Sequence, residues 1–157
     1  MAARPGPRPG RRPVTLTPEQ NEAHERLVRA AAEQERLTLA FEVAIVEAGV
    51  AVVPRQRVIE SSRLSKNKIW KIWKAADVPT LPGGTGHLQL SDEQQKILRR
   101  IETLAAQIAE NEKAFSAALL DCGRTHVPQG LVSDASGYQR ERIRQLWRKA
   151  GIPSPRD

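Results

Sequence analysis

Residues 53–79 read VPRQRVIESSRLSKNKIWKIWKAADVP, and residues 127–153 read VPQGLVSDASGYQRERIRQLWRKAGIP. Laid over one another without a gap, the two stretches share Val53/Val127, Pro54/Pro128, Val58/Val132, Ser62/Ser136, Ile69/Ile143, Trp73/Trp147, Ala76/Ala150 and Pro79/Pro153. After the Val-Pro pair each offers a short helix, expected over 55–61 and 129–135. A turn follows at Ser62-Arg63-Leu64 and Ser136-Gly137-Tyr138, then a further helix over 65–76 and 139–150. Ile69, Ile72, Trp73 and Ala76 recur at i, i+3, i+4 and i+7, as do Ile143, Leu146, Trp147 and Ala150, which is the pattern of an inward helical face. Pro79 and Pro153 stop the chain from continuing as helix.

The same register holds upstream, again without a gap. Leu16, Glu19 and Gln20 recur as Leu90, Glu93 and Gln94, Ala40-Phe41 as Ala114-Phe115, and Gly49 as Gly123. The matched segments are therefore 16–79 and 90–153. A register that holds Trp, Phe, Gly and two prolines together predicts a tandem duplication. Each copy opens with a long helix. Thr17-Pro18-Glu19-Gln20 and Ser91-Asp92-Glu93-Gln94 pair a capping hydroxyl with a glutamine three residues on. Neither Gly nor Pro interrupts 19–48 or 92–122, and Gly49 and Gly123 are expected to supply left-handed caps.

Apolar stripes run along Leu27, Ala30, Leu37, Phe41, Ala44 and Ala48, and along Ile101, Leu104, Ile108, Phe115, Ala118 and Cys122. Their alternating spacing suits packing along another helix, with Gln34 and Asn111 as polar interruptions. The expected fold class is therefore all-α: two tandem copies of a long helix followed by a helix-turn-helix pair. The expected organisation is a disordered basic arm over 1–15, modules over 16–79 and 90–153, and a flexible linker over 80–89.

Charge is segregated along the chain. The 157 residues carry 25 Lys plus Arg against 18 Asp plus Glu, net +7, a balance that favours a polyanionic partner. Residues 54–79 hold seven basic and two acidic groups, and 128–153 hold five and two. The long helices run the other way, with three against seven over 16–48 and four against six over 90–122. With Ile69 and Trp73 inward, Asn67, Lys71 and Lys74 face out, flanked by Lys66, Lys68 and Trp70. In the second copy Glu141, Gln145 and Arg148 face out, flanked by Arg140, Arg142 and Arg144. Lys, Arg, Asn and Gln on such a face reach phosphates and base edges. Trp70, which has Arg144 as its counterpart, is expected to pack at a helix edge.

These two stretches resemble bacterial helix-turn-helix DNA-binding domains of the homeodomain-like and sigma region 4-like type. Gly137 matches the turn glycine of that pattern; Arg63 replaces it in the first copy, and Ile59 and Ser133 stand where alanine is usual. The resemblance implies double-stranded DNA as partner. Arg55, Arg57, Lys66, Lys68, Lys74, Arg140, Arg142 and Arg148 are the candidates for phosphate contacts. Asn67, Lys71, Glu141, Arg144 and Gln145 are the candidates for base contacts.

Other signals point elsewhere only weakly. RPGRRP, residues 8–13, is similar to a minor-groove AT-hook without its intact core, and an electrostatic arm is the simpler expectation. Cys122 and His126 lie four apart with no third ligand nearby, so Cys122 is expected in the core and no metal or other cofactor is expected. A single cysteine excludes a disulfide framework, and no apolar run is long enough to cross a membrane. No nucleophile–base constellation appears, so the chain is not read as an enzyme. The expected function is sequence-specific DNA binding by a cytoplasmic, nucleoid-associated regulator of transcriptional or plasmid/phage type. Two alternatives stand beside it. One is a helical protein-interaction adaptor that self-associates or meets a partner through the long helices; the other is the DNA-binding subunit of a recombination or replication complex.

Overall fold

The computed structural model describes residues 15–79 and 89–153, which form six helices and no strand. They are α1 (Pro18–Val50), α2 (Arg55–Ser62), α3 (Lys66–Ala75), α4 (Asp92–Arg124), α5 (Gln129–Ser136) and α6 (Arg140–Lys149). The all-α class is borne out. Helices that correspond in the repeat register match in length: 33 residues for α1 and α4, eight for α2 and α5, ten for α3 and α6. Among the described residues no helix is long and apolar enough to cross a membrane. The arm over 1–15 and the linker over 80–89 lie, apart from Thr15 and Gln89, outside the described residues.

The chain divides into two compact units, and these cut across the modules read from the repeat. One unit is Arg29–Ser116; the other joins the described residues up to Val28 to those from Ala117 onward. In the first, Leu37, Phe41, Ala44, Ile45 and Ala48 of α1 share a core with Val53, Val58, Ile69, Trp73 and Val78. Ile97, Leu98, Ile101 and Leu104 of α4 complete it. Four aliphatic side chains at about 1.5–3 kcal/mol each rival the whole net stability of a small domain, about 5–15 kcal/mol. Hence α2 and α3 are sealed by the opening turns of α4, and residues 16–79 do not form a compact unit by themselves. In the second unit the buried set is Ala23 and Leu27 of α1, Ala118, Leu119 and Cys122 of α4, then Val127, Val132, Ile143, Trp147 and Ile152. Each unit thus draws one long-helix segment from the opposite half of the sequence.

The helix starts show how that exchange is fastened. Gln20 closes a capping box with Thr17, its N–H donating to Thr17 Oγ1 (3.2 Å) while Gln20 Oε1 accepts from Thr17 N (3.0 Å). Gln94 and Ser91 repeat both bonds at 3.1 and 2.9 Å. The remaining amide hydrogens serve a loop far along the chain. Gln94 Nε2 donates to Ala51 O (2.8 Å), and Gln20 Nε2 to Thr125 O and His126 O (2.9 and 3.1 Å). In the Arg29–Ser116 unit the polar interruptions pair as well: Asn111 Nδ2 donates to Gln34 Oε1 and to Ala30 O, both at 2.9 Å.

Two expectations need correction. Gly49 and Gly123 are not left-handed caps, because α1 and α4 run on to Val50 and Arg124. Their missing Cβ makes room for an indole instead. A Cβ on Gly49 would stand 2.7 Å from Trp73 Nε1, and one on Gly123 2.7 Å from Trp147 Nε1. The left-handed residues come later, at Val52 (φ +61°) and His126 (φ +63°), where the chain turns toward the Val-Pro pair. Left-handed geometry also ends α2 at Arg63 (φ +61°) and α5 at Gly137 (φ +75°). The second correction concerns Ala76 and Ala150, expected inward but exposed. Each caps its helix, and the next turn brings Val78 or Ile152 back into the core in its place.

Two measurements check these packing arguments. Gly49→Ala should lower unfolding free energy by about 1–3 kcal/mol through overpacking. Gly137→Ala should cost about 1–2 kcal/mol through backbone conformation alone, because the added Cβ would meet nothing within 4 Å. Adding Trp73→Phe should be non-additive with the first substitution and additive with the second, read by denaturant titration. Cys122, fully buried and the counterpart of Ala48, has its thiol pushed up to about 11 by burial, with Asp121 adding to the shift. A raised folded-state value stabilises the protonated native form below the ordinary thiol range, and that stabilisation disappears as pH climbs toward 11. The unfolding midpoint should therefore fall between pH 9 and 11 in the native chain and fall less in Cys122→Ala.

Candidate nucleic-acid interface

The candidate surface is built on α3 and α6. Ser65 caps α3 by accepting from Lys68 N (3.2 Å), and the short connection behind it is fixed by Ser62, whose Oγ accepts from Leu64 N (3.1 Å). Ile69 and Trp73 anchor α3 from behind, and the Trp73 indole N–H donates to Ile45 O (2.8 Å). In α6 the anchors are Ile143 and Trp147, with the Trp147 N–H donating to Leu119 O (3.0 Å). Ser136 Oγ likewise accepts from Tyr138 N (3.1 Å), and Ser133 Oγ donates to Tyr138 O (2.7 Å). These bonds leave one face of each helix turned out.

That outer face carries the expected residues. Lys66, Asn67, Lys68, Lys71 and Lys74 are exposed on α3, whose sequence KNKIWKIWKA contains no acid. No ion pair within the described residues engages any of these lysines. On α6, Arg140, Glu141, Arg142, Gln145 and Arg148 are exposed, while Arg144 is half-buried. Arg144 is also the restrained one: its Nε donates to Gln129 Oε1 (3.3 Å) and its Nη1 lies 3.7 Å from Glu141 Oε2. The two α2 arginines differ in their surroundings. Arg55 is half-buried, and Arg57 lines a cleft of about 550 Å³ together with Glu60, Arg99 and Glu102.

Two aromatic rings lie beneath cations of the outer faces. Trp70, expected at a helix edge, is 42% exposed, against 7% for Trp73 and 2% for Trp147. Lys74 Nζ lies 4.6 Å from the Trp70 ring centroid, within the range of a cation–π contact. The Arg142 guanidinium lies 4.1 Å from the Tyr138 centroid in the same way. The signal is present in the sequence, since each cation follows its aromatic by four residues. Gln129 has no such signal, because its bond to Arg144 bridges α5 and α6. Among the described residues no cluster of three His, Cys, Asp or Glu side chains can hold a metal ion.

Comparison of the chain with protein-family models, with curated proteins and with solved structures returns no match.

The exposure pattern has an optical consequence. Iodide should quench one of the three tryptophans and leave two protected, helped by the lysines around Trp70. Trp70→Phe should remove the quenchable emission with little change in the remainder, as read by Stern–Volmer titration.

Proposed function

We propose that this chain is a sequence-specific double-stranded DNA-binding protein of regulatory type, a tandem duplication of a helix-turn-helix module in which α3 and α6 each occupy a major groove. One observation carries the reading. Two ten-residue helices, each held from behind by an indole, turn outward a face of cations that intramolecular acids leave largely unneutralised. A helix kept cationic merely for solubility would mix its charges, and α3 does not. Affinity then comes chiefly from phosphate neutralisation by lysine and arginine, and sequence selection from Asn67, Lys71, Glu141, Arg144 and Gln145. Those base-facing sets are unlike, so the target is two different half-sites. Neither a catalytic step nor a cofactor belongs to this function, which implies a cytoplasmic, nucleoid-associated protein.

A second reading, self-association through α1, is favoured by one feature. Leu39, Val43 and Val50 are exposed and Val46 is partly so, along a single helical face of three turns. Their counterparts in the repeat register are Lys113, Ala117, Leu120 and Arg124, so the fold itself does not require an apolar face there. Leu39→Lys with Val43→Lys should leave DNA affinity intact; sedimentation of the native chain as a monomer at all concentrations removes this reading.

Selection from a random duplex library followed by fluorescence anisotropy tests the proposal. Contact with about five to eight phosphates should give a slope of log affinity against log salt of about −4 to −7. Lys71→Ala should relax the preference for the selected duplex, whereas Lys74→Ala should weaken all duplexes alike. A slope near zero, or no duplex enriched, overturns the reading.

A further inference from the structure

Resting on that reading, we infer that the two heads divide the work unequally: the α5/α6 head makes most of the sequence selection, and the α2/α3 head supplies mainly backbone affinity, with Asn67 and Lys71 adding a smaller share of base contact. The first ground is the kind of cation each outer face carries. All four on α3 are lysines, point charges on flexible stems that suit phosphate but fix no plane. Those on the face of α6 are arginines, whose planar fork matches the O6 and N7 edge of guanine.

The second ground is restraint. Arg144 is half-buried, with its Nε committed to Gln129 and its Nη1 near Glu141, so its terminal nitrogens are presented from a held position. A guanidinium ordered beforehand gives up less side-chain freedom when it meets a base. The cation–π contacts, Arg142 on Tyr138 and Lys74 on Trp70, occur in both heads and do not distinguish them. The third ground is an internal control. In the repeat register Arg144, Gln129 and Glu141 become Trp70, Arg55 and Asn67, so the first head lacks the reader and both of its supports. Lys66, Lys68 and Lys71 have no comparable tether among the described residues. Gln129 is accordingly a positioning residue, acting through Arg144.

The test uses the full chain, with the duplex enriched from the random library and a scrambled duplex of equal length. Lys66→Ala with Lys68→Ala should weaken binding to both duplexes by the same factor and make the salt slope shallower by about two. Arg144→Lys, which keeps the charge, should leave the salt slope unchanged and cut the enriched-to-scrambled affinity ratio by about 10- to 100-fold. Gln129→Ala should cut that ratio in the same direction, and Gln129→Glu, which keeps an acceptor oxygen, should restore it. If duplex binding persists but the ratio follows Lys66 and Lys68 and ignores Arg144 and Gln129, the division of roles is overturned while the DNA-binding reading stands. If the native chain binds neither duplex, both fall.

Discussion

An indole laid across a helix at a glycine holds each head to its long helix. The Trp73 N–H reaches the carbonyl of Ile45, and Gly49, one turn on, clears the path for the ring; Trp147, Leu119 and Gly123 repeat the arrangement. An indole buried in an apolar core must find an acceptor, and a carbonyl already engaged in a helix has a second lone pair to offer. Because the ring can lie flat only where no Cβ intervenes, the crossing point of two helices is fixed to a single residue. The orientation of α3 and α6, and hence the choice of side chains that face solvent, follows from that contact.

Around this contact the molecule separates its materials with some consistency. Aliphatic groups and indoles fill the interior, acids gather on α1 and α4, and cations gather on the outer faces of α3 and α6. The ion pairs of the long helices are surface pairs, such as Arg100 with Glu47 at 2.8 Å, and contribute little to stability. Stability rests on apolar burial, and the polar bonds by Gln20, Gln94 and Asn111 instead fix which segments meet. A polar pair within an apolar seam penalises every register except the one that satisfies it.

The helices and most of the candidate surface were legible in the sequence. Capping boxes, proline stops and helical periodicity are local signals, and they located all the helices of the described residues to within about two residues. What stayed hidden was whatever depended on a distant partner. Gly49 looks like a cap when only its neighbours are considered, and becomes a clearance once Trp73, far along the chain, is placed over it. Ile97 and Ile101 show an apolar face without saying which head they cover. The tether between Gln129 and Arg144 joins two helices and has no periodic signature, whereas the outward set Lys66 to Lys74 could be assigned from its own helix alone.

The crossed composition of the two units sets an order of events on the ribosome. Synthesis runs from the amino terminus, so α2 and α3 emerge well before Ile97, Leu98, Ile101 and Leu104, the residues that seal them. At about 5–20 residues per second, the first head waits seconds with its apolar side bare, and that interval is an opening for a chaperone or for aggregation. The second head has no such wait. Ala23 and Leu27 have already left the exit tunnel when α5 and α6 appear, and that head can close as soon as its own last turn is made.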